Sequence, residues 1–122
     1  NRIIKHLKSD GYILIAVPNP ESYDAKKYGN DWAGWDVPRH LYHFNQTSLK
    51  NFEQLFDLEL VKVNSMPFDS YYVSLLSEGY KNPKQNKLLN YVKAIKSGWE
   101  SNKSAKPLTG QYSSNLYIFK KK

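Results

Sequence analysis

The chain contains no cysteine. That single absence excludes a disulfide framework, a thiolate metal site and a cysteine nucleophile. Long apolar runs are missing too. The longest uninterrupted one, residues 13–17, falls far short of the roughly 20 residues of a membrane span. Residues 1–11 carry Arg2, Lys5, Lys8 and Asp10 and lack the apolar centre of a secretory signal. Glycine is sparse, at 11, 29, 34, 79, 98 and 110, with no Gly-x-Gly pair, so no phosphate-cradling loop is readable. No Ser-His-Asp arrangement is readable either. The chain opens on Asn1 and not on Met, which reads as a cut or processed start.

What is present suffices for one compact α/β domain. The 122 residues are 40% apolar and 15% aromatic, enough to build a core and too few for two domains. The net charge of +7 is unevenly placed. Residues 1–79 hold eight basic and ten acidic side chains, whereas residues 80–122 hold ten lysines against the single Glu100. Such a block suits either a solvated lysine surface or an anionic partner. It contains no arginine, the side chain best suited to phosphate, so neither nucleic acid nor a membrane is the expected partner. Lack of cysteine is compatible with a reducing compartment, and a cytoplasmic location is the expectation.

Along the chain, residues 1–8 read as the end of a helix, stopped by Ser9, Asp10 and Gly11. Residues 12–17 form an apolar run without alternation, the pattern of a strand covered on both faces, and Pro18 and Pro20 end it. Ligands in such sheets bind beyond the carboxyl ends of the strands. That puts Asn19 and the long connection over residues 20–44 on the functional rim; residues 21–28 of it read as part helical. Asn45 is a good helix N-cap, with Phe44 and Leu49 placed as a hydrophobic staple and Asp57 as the stop. Residues 58–65 read as a strand and 70–81 as a helix. Pro83 separates these from a second helix over 84–100, where Leu88, Val92, Ile95 and Trp99 recur at helical spacing between lysines. Residues 101–112 are polar and turn-rich, with Pro107 and Gly110, and residues 115–119 form the last strand.

Residues 7–56 resemble the C-terminal half of small-molecule class I S-adenosylmethionine-dependent methyltransferases. Leu7, Lys8, Ser9, Asp10 and Gly11 are similar to the family's turn before its fifth strand, and residues 12–19, YILIAVPN, to that strand and its exit. The specific part is Trp32-x-Gly34-x-Asp36-x-Pro38-Arg39-His40-Leu41-x-x-Phe44. The resemblance implies a partial Rossmann-like sheet made of the last three strands, with flanking helices. Residues 58–65 would be the sixth strand. Residues 115–119 would be the seventh, antiparallel and inserted between the fifth and sixth, and residues 66–112 a helical insertion. The family holds its cofactor on a glycine-rich turn that this chain lacks. The expectation is therefore one C-terminal portion of a methyltransferase domain, residues 1–122, without its cofactor-binding half. It would bind no S-adenosylmethionine and be inactive alone, and it would self-associate through a bared sheet edge. A non-enzymatic basic module for nucleic acid or an acidic surface is the alternative.

The resemblance turns the rim toward a small-molecule methyl acceptor and marks Asn19, Trp32, Asp36, Arg39, His40 and His43 as candidates. His40 suits a general base because an imidazole titrates near neutral pH; otherwise it fixes the loop. Arg39 holds an acidic acceptor or pairs with Asp36. Trp32 and Trp35 stack on an acceptor or plug the loop onto the core. Asn19 orients substrate or shapes the strand exit, and His43 faces the acceptor or packs beside the following helix. His40 and His43 are three apart without a carboxylate to complete a metal set, so no metal is expected.

Overall fold

The structure, a computed structural model, describes residues 2–105 and 110–122. Its elements are α1 (Arg2–Lys5), β1 (Tyr12–Pro18), α2 (Tyr23–Tyr28), two 3-10 turns (Gly29–Asp31 and Ala33–Trp35), α3 (Gln46–Lys50), α4 (Phe52–Phe56), β2 (Leu58–Ser65), α5 (Asp69–Lys81), α6 (Lys87–Ala105) and β3 (Ser114–Lys121). The mixed α/β class follows the sequence expectation, and so does the strand order β1-β3-β2. The last strand in sequence lies in the middle and runs antiparallel to both neighbours, pairing Leu14 with Ile118 on one side and Lys62 with Ile118 on the other. The carboxyl ends of β1 and β2 consequently meet at one rim.

One core fills one face of this sheet. Leu49, Leu58, Tyr117 and Phe119 are buried, with Ile4, Leu7, Ile13, Ile15, Phe44, Phe52 and Phe56 packed around them. Burying such a side chain contributes about 2 kcal/mol. Local chemistry sets the helices on this face. Asn45 caps α3 by accepting from Ser48 N at 2.8 Å, and the Ser48 hydroxyl accepts from Asn45 N at 2.9 Å, closing a capping box. Asp57 takes the left-handed conformation (φ 53°) that ends α4 and turns the chain into β2. The expected single helix is broken at Asn51 into two short ones.

The opposite sheet face corrects the reading of β1. Its residues alternate: Ile13, Ile15 and Val17 are half-buried toward the core, while Tyr12, Leu14 and Ala16 are exposed. No described helix covers that side, so an apolar run composed for two covered faces has one.

A second core, Ala25, Tyr28, Trp32 and Val73 with Ala33 and Trp35 against it, joins α2 and the 3-10 turns to α5. The helices α5 and α6 form an antiparallel hairpin through small residues. Ser70, Ser74 and Ser77 meet Ala94, Ser97, Gly98 and Ser101, all buried. Ser70 Oγ donates to Gly98 O at 3.1 Å, and Ser77 Oγ satisfies itself on Val73 O at 2.7 Å. The approach is close: a Cβ on Gly98 would lie 2.9 Å from the Tyr71 Cα and 2.5 Å from its ring. The stripe Leu88, Val92, Ile95 and Trp99 thus points away from the hairpin and is exposed. The helix also begins later than expected and runs on to Ala105, through residues that read as turn. Pro107 lies outside the described residues.

Gly98→Ala should destabilise the chain by about 1–3 kcal/mol through overpacking, whereas Ile95→Ala should stay within about 0.5 kcal/mol. Urea titration of the two variants checks the difference.

Candidate functional site

The rim beyond β1 is held by side chains from distant parts of the chain. Asn19 is buried, and its amide is fully engaged: Nδ2 donates to Gln111 Oε1 and to Tyr112 O at 3.2 Å, and Oδ1 accepts from Glu21 N at 3.0 Å. Glu21 in turn accepts from Asn45 Nδ2 at 2.8 Å and from Gln111 Nε2 at 3.3 Å. These bonds fix the exit of β1 to the start of α3 and to the approach of β3. Asn19 shapes the strand exit.

Below the rim sits a carboxylate for which the sequence offers no signal. Asp24, on α2, is 0% exposed. Its Oδ2 accepts from Trp32 Nε1 at 2.9 Å and from Ser113 Oγ at 2.7 Å, and its Oδ1 accepts from Ser101 Oγ at 2.7 Å. All three donors are neutral. A hydrogen bond to a charged group contributes about 1.5–3 kcal/mol, and stranding such a group in the interior costs more. The three donors come from the loop, from α6 and from the approach to β3, so one carboxylate positions all of them. Residues around Ser101 and Ser113 read from sequence only as polar turn, and Asp24 only as one charge in a short helix.

Trp32 is buried and plugs the loop; it stands edge-on to Trp35 at 5.0 Å. Trp35 is half-buried, donates from Nε1 to Gly29 O at 2.8 Å and lies edge-on to His43 at 4.9 Å. His43 Nε2 is 2.8 Å from Trp35 O. A carbonyl only accepts, so that nitrogen carries the proton. Thus Trp32, Trp35 and His43 brace one another, and His43 packs between the loop and the start of α3.

The outward residues are Asp36, Arg39 and His40. Asp36 takes a left-handed conformation (φ 42°, ψ 42°), and the following Val37–Pro38 peptide is cis. Arg39 Nε is 3.1 Å from Asp36 Oδ1, and His40 Nε2 is 4.0 Å from Asp36 Oδ2. The His40 backbone N–H donates to Asp36 O at 3.0 Å. One carboxylate therefore faces both the Arg39 guanidinium and the His40 ring from the same turn. The Arg39 side chain remains 83% exposed, with its terminal fork available. A cavity of about 250 Å³ lies here, between Val17 and Pro18 at the strand exit and Arg39, His40, His43 and Phe44 of the loop. A larger cleft of about 530 Å³ separates Trp35, Asp36 and Arg39 from Tyr80 of α5. The geometry brings Asp36, Arg39, His40 and His43 to one wall, with Asn19 and Trp32 behind it. Among the described residues no group of three His, Cys, Asp or Glu side chains is placed to hold a metal.

The space beside Gly11, Gly34 and Gly98 is taken by Leu7, Trp32 and Tyr71 of the chain itself, whereas Gly29 and Gly79 have open space beside them.

Beside the wall, Tyr28 donates to Glu78 Oε1 at 3.0 Å, and both are buried. Burial pushes the Tyr28 hydroxyl up to about 12, and the charge of Glu78 acts in the same direction. Glu100 is held below its ordinary range, first by its hydrogen bond from Lys27 at 3.0 Å.

Two outcomes follow. Asp24→Asn turns a donor toward donors and should lower stability by about 2 kcal/mol or more, read by thermal unfolding together with a loss of the near-ultraviolet signal of Trp32. The raised Tyr28 hydroxyl means that the folded chain holds this proton more tightly than the unfolded one. Its contribution is fully present below the ordinary tyrosine value of about 10 and is lost as pH rises through about 12. Tyr28→Phe should make that alkaline fall of stability shallower.

Compared with known proteins, residues 1–63 match a family model described as a methyltransferase domain, which is more than half of the chain. No curated protein and no solved structure matches it.

Proposed function

The chain belongs to the methyltransferase domain family, and from that premise we propose that it is the acceptor side of a class I S-adenosylmethionine-dependent methyltransferase acting on a small molecule. In this reading β1, β3 and β2 are the last strands of a Rossmann-like sheet, residues 66–112 are an insertion, and the cofactor is held by residues other than these. One observation carries it: the middle strand runs antiparallel between two others whose carboxyl ends share a rim, and the wall of Asp36, Arg39, His40 and His43 stands at that rim. The bare face of β1 and its unpaired outer edge give the remainder of such a domain a place to attach; left uncovered, the same edge favours self-association.

The wall's own chemistry is positioning and proton handling. Arg39 offers its guanidinium fork to an anionic group on the acceptor, while its Nε stays on Asp36. His40 takes a proton from a poorly ionised acceptor, and the Asp36 carboxylate stabilises the imidazolium so formed. Trp32 and Trp35 keep this turn rigid, and alignment of the acceptor depends on that rigidity.

By isothermal titration the 122-residue chain should show no micromolar binding of S-adenosylmethionine; such binding would sink the division of labour. In a domain completed with a glycine-rich strand–turn–helix segment, His40→Ala should lower turnover by about 10² to 10⁴ and leave cofactor affinity unchanged. Arg39→Ala should raise KM for the acceptor more than it lowers kcat.

A further inference from the structure

The helix α6 is built inside out. Its buried side is small and polar, Asn90, Ala94, Ser97, Gly98, Ser101 and Ala105. Its large apolar residues face away: Leu88, Val92, Ile95 and Trp99 are 70%, 58%, 61% and 54% exposed. At 3.6 residues per turn these four fall within an arc of about 60°. Because α5 already occupies the small-residue side, hairpin packing leaves the stripe uncovered.

One border is cationic. Lys96 and Lys103 lie along the same side of the stripe on the helix surface, and exposed Lys84 and Lys87 stand at its start. The Lys103 Nζ lies 4.9 Å from the centre of the Trp99 ring. Glu100, the carboxylate of α6, accepts from Lys27 at 3.0 Å and stands 4.0 Å from Lys96 Nζ, whose side chain remains 75% exposed. Phe68, 84% exposed, precedes α5 at the Trp99 end, where Asn102 Nδ2 ties α6 to Pro67 O at 2.9 Å. The family match ends at residue 63, so this hairpin lies wholly outside it.

We propose that the outer face of α6 docks on an anionic lipid bilayer, lying in the headgroup region with its stripe inserted. A bilayer asks for an apolar arc, exposed lysines beside it and an interfacial tryptophan, and this face has all three. Nucleic acid gives no return for burying four large apolar side chains. A helix-binding protein would need carboxylates matched to Lys96 and Lys103 as well as a groove of fitting width. No described helix is long and apolar enough to cross a membrane, so α6 lies on the surface. The proposal is independent of the methyltransferase reading and departs from the expectation of no membrane partner, which rested on the lysines without the stripe.

Co-sedimentation of the 122-residue chain with vesicles tests it, comparing phosphatidylcholine alone with equal parts phosphatidylcholine and phosphatidylglycerol. Binding is expected to the mixed vesicles only, with a blue shift of tryptophan emission that Trp99→Phe removes. The double variant Val92→Glu, Ile95→Glu should abolish binding. Lys96→Gln with Lys103→Gln should weaken it about thirtyfold, from about fivefold per lysine. Leu14→Glu, on the bare sheet face, should bind as the parent does, and circular dichroism verifies that each variant is folded. The proposal is overturned by equal binding to neutral vesicles, by survival of binding in the Val92, Ile95 variant, or by its loss in Leu14→Glu. It is overturned equally if light scattering shows a dimer that the Val92, Ile95 variant makes monomeric, because a second copy then covers the stripe.

Discussion

A buried carboxylate bonded to neutral donors is the constraint on which this molecule is arranged. Asp24 has no exposure and, among the described residues, three neutral donors, drawn from residues 32, 101 and 113. A polar group in a low-dielectric interior tolerates no missing partner. If the loop, the long helix or the entry to the central strand shifts by an ångström, a strong bond is lost. The joint between sheet and hairpin is thus directional where the core under the sheet is only close-packed. Trp32 transmits that precision outward, since the indole that bonds Asp24 also supports Trp35, and Trp35 supports His43. The reactive-looking turn at Asp36 to His40 is exposed, yet it stands on a rigid column.

Features set by neighbours in sequence were readable in advance. Asn45 before an apolar helix and Asp57 at its end are local solutions to unsatisfied backbone groups, and both take the expected roles. The pairing of Asp36 with Arg39 is likewise a contact across one turn. The insertion of the last strand between the other two came from family resemblance, because no local pattern specifies sheet order. Features that depend on remote partners stayed hidden. Nothing near Asp24 announces that Ser101 and Ser113 will reach it, and the engagement of Asn19 depends on Gln111 and Tyr112.

The helical hairpin shows a different limit. Periodicity identifies an apolar stripe but not the direction in which it points. On α6 the rule that large apolar residues mark the core side fails because serine, alanine and glycine permit a closer approach than leucine or tryptophan would. Ser70 and Ser77 donate to carbonyls of the hairpin and Ser101 donates to Asp24, so the buried side is polar in composition. For β1, an unbroken apolar run implies two covered faces, yet cover depends on what else is present, and among the described residues helices lie on one side only.

Placing the final strand at the centre of the sheet has a consequence for how the chain is made. Neither β1 nor β2 pairs with the other; both wait for residues 114–121. Between the completion of β2 at Ser65 and the arrival of β3 at Ser114, a growing chain carries both strands without their shared partner. Ser113 adds its bond to Asp24 just as β3 is threaded between them. Formation of this sheet and locking of the rim become a single event, and a chain cut before residue 113 achieves neither. Until then the edges of both strands are open to pairing with other chains.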